Sequence, residues 1–448
     1  MSKLQQLASD VVAGVMQRGA SAAECIVREG SEFSTVVRLG NVETLKEASA
    51  RAAGLRVFFG KRAASTYSSD LSAEALERMI GAAVELAKIT SEDPDAGLPA
   101  PEQFGKLSQD LKLYYDDVYS LPTTERIGFA KRTEDAALKA DKRIANSEGG
   151  SFDCATGVKV LVNSSGFIGE SRRSYCSIAT TPIAQQNGSM QRDYWWSSAL
   201  SLAKLDSPEH VGRIAAERAV RRLGARKIKT KKVPVIFDPL TARALLDLLA
   251  DAVNGDAVYR HASYLSGKLG QRVAGENIRV IDDGTMPGGF GSSPFDGEGV
   301  PTRRTVVIER GELKSYLLNT YTARKLGLAT TGNAARGLTG NPGIGTGNFY
   351  LEPGGKSAEQ IISEVKEGLY VTDFLGSGVN LVTGDFSRGA SGLWISGGEL
   401  AYPVEEITVG GNLRDMFSNV AEIGNDLEFR TATASPTLRI EGMTVAGE

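Results

Sequence analysis

The sequence predicts an α+β protein: a mixed N-terminal part in two units, and a β-rich, antiparallel C-terminal domain that carries one helix on its sheet. Three observations lead to this prediction. Amphipathic helical patterns recur in the first half, glycine-punctuated strand patterns dominate the second, and a strand followed by a capped helix joins the two. At 448 residues the chain is too long for one hydrophobic core. We therefore expect units over 1–90, 108–230 and 231–448, with a linker over 91–107.

The strand and helix that join the two halves begin at Val233. Four of the five residues from Val233 to Phe237 are apolar, which is typical of a buried strand. Asp238 can cap the helix that follows, with Pro239 at its first position. Leucines at helical spacing give this helix a broad apolar face, and Asn254 with the glycine after it ends the helix. We predict that the helix packs on the sheet of the C-terminal domain.

The N-terminal unit begins with an amphipathic helix over residues 4–15. Two strands follow, AECIVREG and FSTVVRLG, with a turn predicted between them at Gly30 and Ser31. A further strand or hairpin precedes a second helix, which Ser72 caps and which extends to about residue 86. The next residues are rich in proline and poor in large apolar side chains, which predicts the linker.

A helix from Pro122 to about Ala140 opens the central unit, and three strand-like segments after it predict an antiparallel meander. Another helix begins at Ser207, with Pro208 in its first turn. The aromatic residues 194–196 are more typical of the rim of a packed core than of a platform for a ligand.

The end of this unit, residues 221–232, is strongly basic. Such a run is compatible with a nucleic-acid-binding stripe. It is equally compatible with a solvated helix end and linker, where cations offset the negative end of the helix dipole. Because the net charge of the chain is -3 and no aromatic residues interleave with the basic ones, we favour the second interpretation.

The sequence of the C-terminal domain predicts strands separated by glycines. Two segments, ERGELKSY and SGGELAYP, predict two-strand turns with glycine at the corner. A helix is expected over 357–367, and another short one within DMFSNVAEIGND. The domain has internal similarities without a strict repeat period.

Composition places the chain among soluble globular proteins, with 41% hydrophobic and 23% charged residues. No apolar run approaches the length of a membrane span, and the N-terminus lacks the pattern of a signal peptide. The three cysteines are widely spaced and odd in number, which suits a reducing compartment. We expect a cytoplasmic protein that does not associate with membranes.

Most familiar catalytic signatures are missing. Neither of the two histidines, His210 and His261, has a glutamate or a second histidine at the i, i+4 spacing of a helix, and no Cys-x-x-Cys occurs. The nucleophile motif Gly-x-Ser-x-Gly is also absent. The glycine-rich stretches 288–293 and 340–348 match neither a P-loop nor a dinucleotide fingerprint, and we interpret them as tight turns.

Two acidic, glycine-containing turns are the candidates for contact with a substrate or partner. PFDGEG offers Phe295, Asp296 and Glu298, and TGDFSRG offers Asp385 and Arg388. Most acidic turns serve only the local backbone, which is the simpler interpretation of both.

Several long blocks of the C-terminal domain, in the same order, resemble the TldD/PmbA family and within it the PmbA (TldE) branch. These blocks are PFDGEGVPTRR, LLNTYTARKLGLATTGNA, GLYVTDFLGSGVNLVTGDFSRGASG, AYPVEEITVGGNL and the C-terminal PTLRIEGMTVAGE. The likeness is strong over 233–448 and looser before that. It implies a heteromeric, cytoplasmic, metal-dependent protease that acts on unfolded or peptide substrates.

The same resemblance implies that this chain is not the metal-bearing member. In the TldD branch a His-Glu-x-x-x-His helix and a cysteine near the C-terminus hold the metal. The corresponding positions here are Leu246, Asp247 and Asp251, and the cysteine-bearing segment after Asn425 is missing. A leucine in place of a ligand argues against hydrolysis by this chain alone.

We therefore expect a non-catalytic subunit with no cofactor of its own, since the metal belongs to the TldD-like, metal-bearing partner. Unfolded or peptide substrates are the expected ligands, and self-association stays open as an alternative. Two other hypotheses remain: an interaction protein related to topoisomerase modulation, supported only by the basic run, and an autonomous hydrolase built on Asp296, Glu298, Asp385 and Arg388.

Overall fold

One long antiparallel sheet spans the N-terminal half of the protein, whose computed structural model describes residues 1–447. Four of its strands have 17 to 20 residues. The strand order is β3-β2-β1-β4-β5-β6, with β7 paired to β5. The strands are β1 (Ala22–Arg38), β2 (Asn41–Phe59), β3 (Arg62–Ser68), β4 (Ile144–Asn163), β5 (Ile168–Gln186), β6 (Ser189–Arg192) and β7 (Trp195–Ala199).

The turn predicted at Gly30 and Ser31 is wrong, because β1 runs straight through both residues. Gly30 pairs with Ala50 on one side and with Gly157 on the other, in a register that is continuous on both sides. A Cβ atom at Gly30 would lie 2.7 Å from the carbonyl oxygen of Thr156. The glycine therefore allows a close approach of the neighbouring strand and does not reverse the chain.

The two strands predicted from KRIANSEGG and TGVKVLVNSSG form the single strand β4. Its pairing with β5 shifts register between Ser147 and Gly150, and Gly149 there has a φ of +110°. This is a bulge, in which glycine accommodates backbone that other residues rarely adopt.

Helices cover one face of this sheet and leave the other to the C-terminal domain. Strand residues point alternately to the two faces. Cys25 and Val27 pack with the helices, whereas Ile26 and Arg28 face the C-terminal domain. The helices of this half are α1 (Lys3–Met16), α2 (Ala73–Ile89), α3 (Asp116–Ser120), α4 (Thr123–Ala140) and α5 (Pro208–Arg221), with single 3-10 turns at Pro101–Gln103 and Leu202–Lys204.

The pairing of β1 with β4 joins the two N-terminal units into one sheet, from Glu24 with Asn163 to Val37 with Gly150. The predicted linker follows the surface of the C-terminal domain, where the Gly105 amide donates to the Gly299 carbonyl. The domain boundaries stay a prediction.

The C-terminal half contains two larger sheets. In one, pairings link β8, β15, β17, β18 and β21 into a closed ring, and β8 runs parallel to β15. The other has the order β11-β10-β9-β14-β20, with β14 parallel to β20. The strands are β8 (Lys231–Phe237), β9 (Val280–Asp283), β10 (Arg304–Glu309), β11 (Glu312–Leu313), β12 (Ala334–Ala335), β13 (Gly343–Ile344), β14 (Asn348–Leu351), β15 (Glu367–Leu375), β16 (Val379–Asn380), β17 (Asp385–Ser396), β18 (Glu399–Asn412), β19 (Val420–Ile423), β20 (Thr433–Ala434) and β21 (Leu438–Ala446).

The helix that follows β8 forms as predicted and lies in the core between these sheets. The side chain of Asp238 accepts a hydrogen bond from the Thr241 amide at 2.8 Å, which caps its first turn. Leu245, Leu246 and Leu249 are buried among strands of both sheets. The helices of this half are α6 (Pro239–Ala252), α7 (Gly255–Tyr259), α8 (Thr320–Leu326), α9 (Ala358–Ser363) and α10 (Leu413–Ser418).

The helix predicted over 357–367 is shorter than expected, because α9 ends at Ser363. Its apolar residues Ile361 and Ile362 pack under the ring of strands, and the chain then enters β15 at Glu367. The predicted turns at ERGELKSY and SGGELAYP are confirmed as the β10–β11 and β17–β18 connections. No helix within residues 1–447 has the length and apolar character that a membrane span requires.

Candidate functional site

A cleft lies between the open face of the N-terminal sheet and the glycine-rich loops of the C-terminal domain. At its deep end is a cavity of about 270 Å³ between the sheet residues Arg28 and Lys159 and the loop residues Asp282, Asp296 and Gly347. A wider groove of about 910 Å³ shares several of these lining residues and continues across β1, β2, β4 and β5.

The predicted PFDGEG turn forms part of the deep cavity. The Asp296 carboxylate accepts hydrogen bonds from the amides of Glu298 (2.8 Å), Val300 (3.0 Å) and Ala334 (3.0 Å). Burial raises the pKa of Asp296 to about 7, and the negative charge of Glu298 adds to the increase. Asp296 therefore ties its own turn to the segment that begins at Ala334.

Phe295 and Asp296 line the cavity, but Glu298 lies behind them. Its buried carboxylate accepts from the Thr320 amide at 2.9 Å, at the start of α8. Burial raises the pKa of Glu298, and the charge of Arg56 opposes this effect. Glu298 supports the loop from within, and any contact of the other two residues with a substrate stays a prediction.

The second predicted pair lies elsewhere, on β17 of the C-terminal ring. Asp385 is exposed and accepts hydrogen bonds from Thr383 and Asn412. Arg388 donates to the Gly376 carbonyl and stacks 4.5 Å above the ring of Phe374. The structure does not bring this pair together with Asp296 and Glu298, so a hydrolytic site built from all four residues has no geometric basis.

Lys159, which sequence analysis did not single out, is the distinctive cation of the cavity. Its Nζ lies 5.0 Å above the centre of the Phe295 ring. Within residues 1–447 it forms no ion pair. Burial lowers its pKa to about 8, and the neighbouring charge of Arg28 lowers it further. A lone lysine within the apolar stretch VKVLV was the signal that could have identified it.

Asp282 of β9 holds the opposite wall of the cavity. Its carboxylate accepts from the Gly347 amide and from the Asn333 side-chain amide, both at 2.7 Å. Burial raises the pKa of Asp282 to about 6. The glycine-rich stretch predicted as tight turns thus supplies backbone to the wall of the cleft.

The α6 positions at which the resemblance implies metal ligands in the TldD branch do not fit a transition metal here. Leu246 is buried in the core, and Asp247 lies 4.0 Å from the guanidinium of Arg243. Asp251 is exposed to solvent on one side, and partial desolvation of its carboxyl group together with the charge of Asp247 raises its pKa. Across residues 1–447, no three His, Cys, Asp or Glu side chains converge as ligands. The absence of a metal from this chain stays a prediction.

Known proteins match this chain over nearly its whole length. Models of the PmbA/TldA metallopeptidase match domain 1 at 23–87, the central domain at 116–223 and the C-terminal domain at 230–447. The chain is 39% identical to metalloprotease PmbA of Escherichia coli O157:H7, over 95% of this chain and 92% of the relative. It is 35% identical to the PmbA homologue of Haemophilus influenzae, over 99% and 96%.

Solved structures share the fold over the same extent. A Bacteroides thetaiotaomicron protein described as a candidate modulator of DNA gyrase superposes with a TM-score of 0.93 at 28% identity, covering 100% of both chains. TldE of Thermococcus kodakarensis superposes with a TM-score of 0.89 at 22% identity, covering 98% of this chain and 100% of that one, which shows a common fold. The chain belongs to the TldD/PmbA family of metallopeptidase-related proteins, in its PmbA branch.

Proposed function

We propose that this protein is the non-catalytic subunit of a cytoplasmic, heteromeric, metal-dependent protease, paired with a TldD-like paralogue that carries the metal. The observation that carries the proposal is the position of Leu246. The helix that bears the ligands in the TldD branch turns this residue into the core here, and the next positions offer only Asp247 and Asp251. Transition-metal sites take three or more convergent ligands, which this helix does not supply.

The role that remains for the chain is to hold part of the substrate. The groove has a volume of about 910 Å³, which gives room for several residues of an extended peptide, and strands of the N-terminal sheet form much of its lining. Arg173 is fixed at its edge by hydrogen bonds to the carbonyls of Phe290 and Ser292. Unfolded or peptide substrates fit such a surface better than compact proteins do.

Reconstitution with the His-Glu-x-x-x-His paralogue from the same genome tests the proposal. We expect the pair to cleave a fluorescent unfolded peptide at least tenfold faster than the paralogue alone, and the isolated chain to be inactive. Equal rates with and without this chain would contradict the subunit role.

A groove-filling variant tests where the peptide lies. Ala50→Trp places a large side chain in the lining of the groove at an exposed position, so folding should not suffer. We expect the reconstituted pair to lose most of its peptide cleavage without losing assembly. Ala203→Trp, at an exposed position outside the groove, is the matched control and should leave cleavage unchanged.

The alternative of a topoisomerase-related interaction protein draws on the gyrase-modulator descriptions of structural relatives and on the basic run. In this run Arg222 faces Asp193 and Asp373, and Arg226 stacks 3.5 Å from the ring centre of Tyr402. Because these cations join the central unit to the C-terminal domain, the run gives no specific support for nucleic-acid binding, and we do not propose it.

A further inference from the structure

A second cavity, of about 170 Å³, lies between the end of α5, the start of α6 and the segment 426–435. That segment separates it from the cleft, since Ala432 lines the groove while Thr431 and Thr433 line this cavity. Aromatic rings of Trp195, Trp196 and Tyr370 form part of its wall. Four guanidinium groups complete it, from Arg218, Arg221, Arg243 and Arg430.

Two of these arginines are held by carboxylates. Arg218 lies 3.2 Å from Asp193 and 3.7 Å from Asp238. Arg430 pairs with Glu428 at 2.8 Å and stacks with its Cζ 4.5 Å from the ring centre of Trp195. Their charges are balanced within the protein, and they hold the aromatic wall in place.

Arg243 is held more loosely, by a 3.2 Å hydrogen bond to the Thr431 hydroxyl and by Asp247 at 4.0 Å. Its Nε is buried without a hydrogen-bond partner within residues 1–447, and so is the indole Nε1 of Trp195. Donors around this cavity therefore outnumber the acceptors that the protein provides.

Arg221 is the exception among the four, because its side chain forms no ion pair or hydrogen bond within the described part of the chain. Its Nε and Nη2 are buried without partners. Burial lowers its pKa and the positive charge of Arg218 acts in the same direction, whereas the charges of Asp193 and Asp238 oppose this decrease. An arginine stays charged in proteins, and burying two of its donor nitrogens without hydrogen-bond partners is unfavourable. A ligand that supplies the missing acceptor would remove this penalty.

We infer that this cavity, which we call the arginine pocket, is a binding site for a carboxylate group with Arg221 as its principal anchor. The planar fork of a guanidinium matches the two oxygens of a carboxylate. Of the four guanidiniums only that of Arg221 has no carboxylate within 4.0 Å in residues 1–447, and one unpaired positive charge suits a monoanion better than a doubly charged phosphate.

The carboxylates of the wall are themselves engaged, so they do not substitute for the ligand. Asp238 caps α6, and Asp426 accepts from the amide and hydroxyl of Thr437 at 2.8 and 2.7 Å. A free small carboxylate and a carboxylate of a peptide share the chemistry that the pocket recognises. The inference does not rest on the proposed subunit role, because it concerns the isolated chain.

Calorimetric titration of the isolated full chain tests the inference. The probes are acetate, succinate and inorganic phosphate at ionic strength matched with chloride. Three N-acetylated peptides separate the sources: trialanine with a free C-terminus, trialanine amide, and an amide with a central glutamate. We expect saturable binding of a carboxylate probe and weaker binding of phosphate. Binding of only the peptide with a free C-terminus identifies a terminal carboxylate as the ligand, and binding of only the glutamate peptide identifies a side-chain carboxylate. Binding of the free acids identifies a small carboxylate.

Arg221→Gln should weaken this binding at least tenfold, and Arg221→Lys, which keeps the charge but not the fork, should weaken it less. Arg310→Gln changes an exposed arginine paired with Glu276 and is the matched control, which should bind like the wild type. In chloride alone Arg221→Gln should unfold at a temperature no lower than the wild type, because it removes a buried unpaired charge. Absence of carboxylate binding, tighter binding of phosphate, undiminished binding by Arg221→Gln, or a lower unfolding temperature of that variant in chloride would each overturn the inference.

Discussion

At the scale of a single residue, Leu246 is the position on which the proposed non-catalytic role depends. It lies in the core with Leu245 and Leu249, so a histidine there would be buried among apolar side chains. Loss of a buried leucine costs about 2–5 kcal/mol. We predict that Leu246→His lowers the free energy of unfolding by about that amount, measured by urea denaturation. Asp251→His, at an exposed position of the same helix, should change it by less than about 0.5 kcal/mol.

Restoring the whole ligand pattern should not create a metal site. In the triple variant Leu246→His, Asp247→Glu, Asp251→His the first imidazole is directed into the core, and no cysteine-bearing segment completes the site. We expect elemental analysis of the chelator-treated, untagged protein to find well below one equivalent of zinc or iron. One equivalent in the wild-type chain would refute the non-catalytic assignment, and one in the variant would show that the helix rearranges.

Lys159 should make the stability of the protein depend on pH. The folded protein lowers its pKa from 10.5 to about 8, so the unfolded chain binds the proton more tightly. The resulting destabilisation is complete below pH 8 and disappears as the pH rises from 8 to 10.5. Lys159→Met should therefore be more stable than the wild type at pH 7, by up to about 3–4 kcal/mol at about 1.4 kcal/mol per pKa unit.

Urea denaturation at pH 7 and at pH 10 measures this difference. Lys139→Met, which changes an exposed helix lysine, is the control and should show no comparable pH dependence. If Lys159→Met increases the free energy of unfolding by the same amount at both pH values, packing and not charge is responsible.

Sequence reasoning located part of the cleft and missed the rest for a physical reason. Phe295 and Asp296 were found because a charged turn with glycines is visible locally. Lys159 and Arg221 were not, because their significance depends on what lies opposite them in space. Arg221 was included in a basic run, although only its neighbours along that run form ion pairs with the C-terminal domain.

At the scale of elements, local signals were sufficient for helices and insufficient for long strands. Caps at Ser72, Ser207 and Asp238 form the hydrogen bonds that the sequence predicts. By contrast, Gly30 resembled a turn because its partner strands lie more than a hundred residues away or follow a later hairpin. Pairing between β1 and β4 has no local signature, so the sequence could not show that the two N-terminal units share a sheet.

Replacing glycine with alanine should change the stability of the protein in opposite directions in β2 and in α4. A Cβ atom at Gly54 of β2 would overlap the carbonyl oxygen of Leu338, where the C-terminal domain contacts the sheet. A Cβ atom at Gly128 of α4 would have no neighbouring atom within 4 Å outside the backbone of its own helix. We predict that Gly54→Ala destabilises the protein by about 1–3 kcal/mol.

Gly128→Ala should instead stabilise it by about 0.5–1 kcal/mol, because alanine has the higher helix propensity. Urea denaturation compares the two variants, and limited proteolysis shows whether Gly54→Ala also loosens the 336–342 loop. Equal stabilities for the two variants would mean that the β2 contact with Leu338 adjusts without cost.

At the scale of the whole molecule, the two halves are joined by a small apolar cluster and by buried charges. Phe167 and Phe295 meet edge to face, with ring centres 5.2 Å apart, across the interface between the N-terminal sheet and the C-terminal domain. Beside them the buried Glu24 of β1 pairs with Arg56 of β2 at 2.6 Å and with Arg336 of the C-terminal domain. Residues that are far apart in the sequence therefore fix the relative position of the two walls of the cleft.

Removing the charge of Glu24 should weaken the coupling between the two halves, so that they unfold in separate transitions. Breaking a buried ion pair by removing one partner costs about 3–5 kcal/mol, because Arg56 and Arg336 would remain buried without a counter-charge. We predict that Glu24→Gln lowers the unfolding temperature in calorimetry and splits one transition into two, the C-terminal domain unfolding separately from the N-terminal sheet. Glu77→Gln removes an exposed pair with Arg18 and should cost less than about 1 kcal/mol. If Glu24→Gln unfolds like Glu77→Gln, contacts other than the Glu24 ion pairs couple the two halves, and the buried charges serve only the local loop.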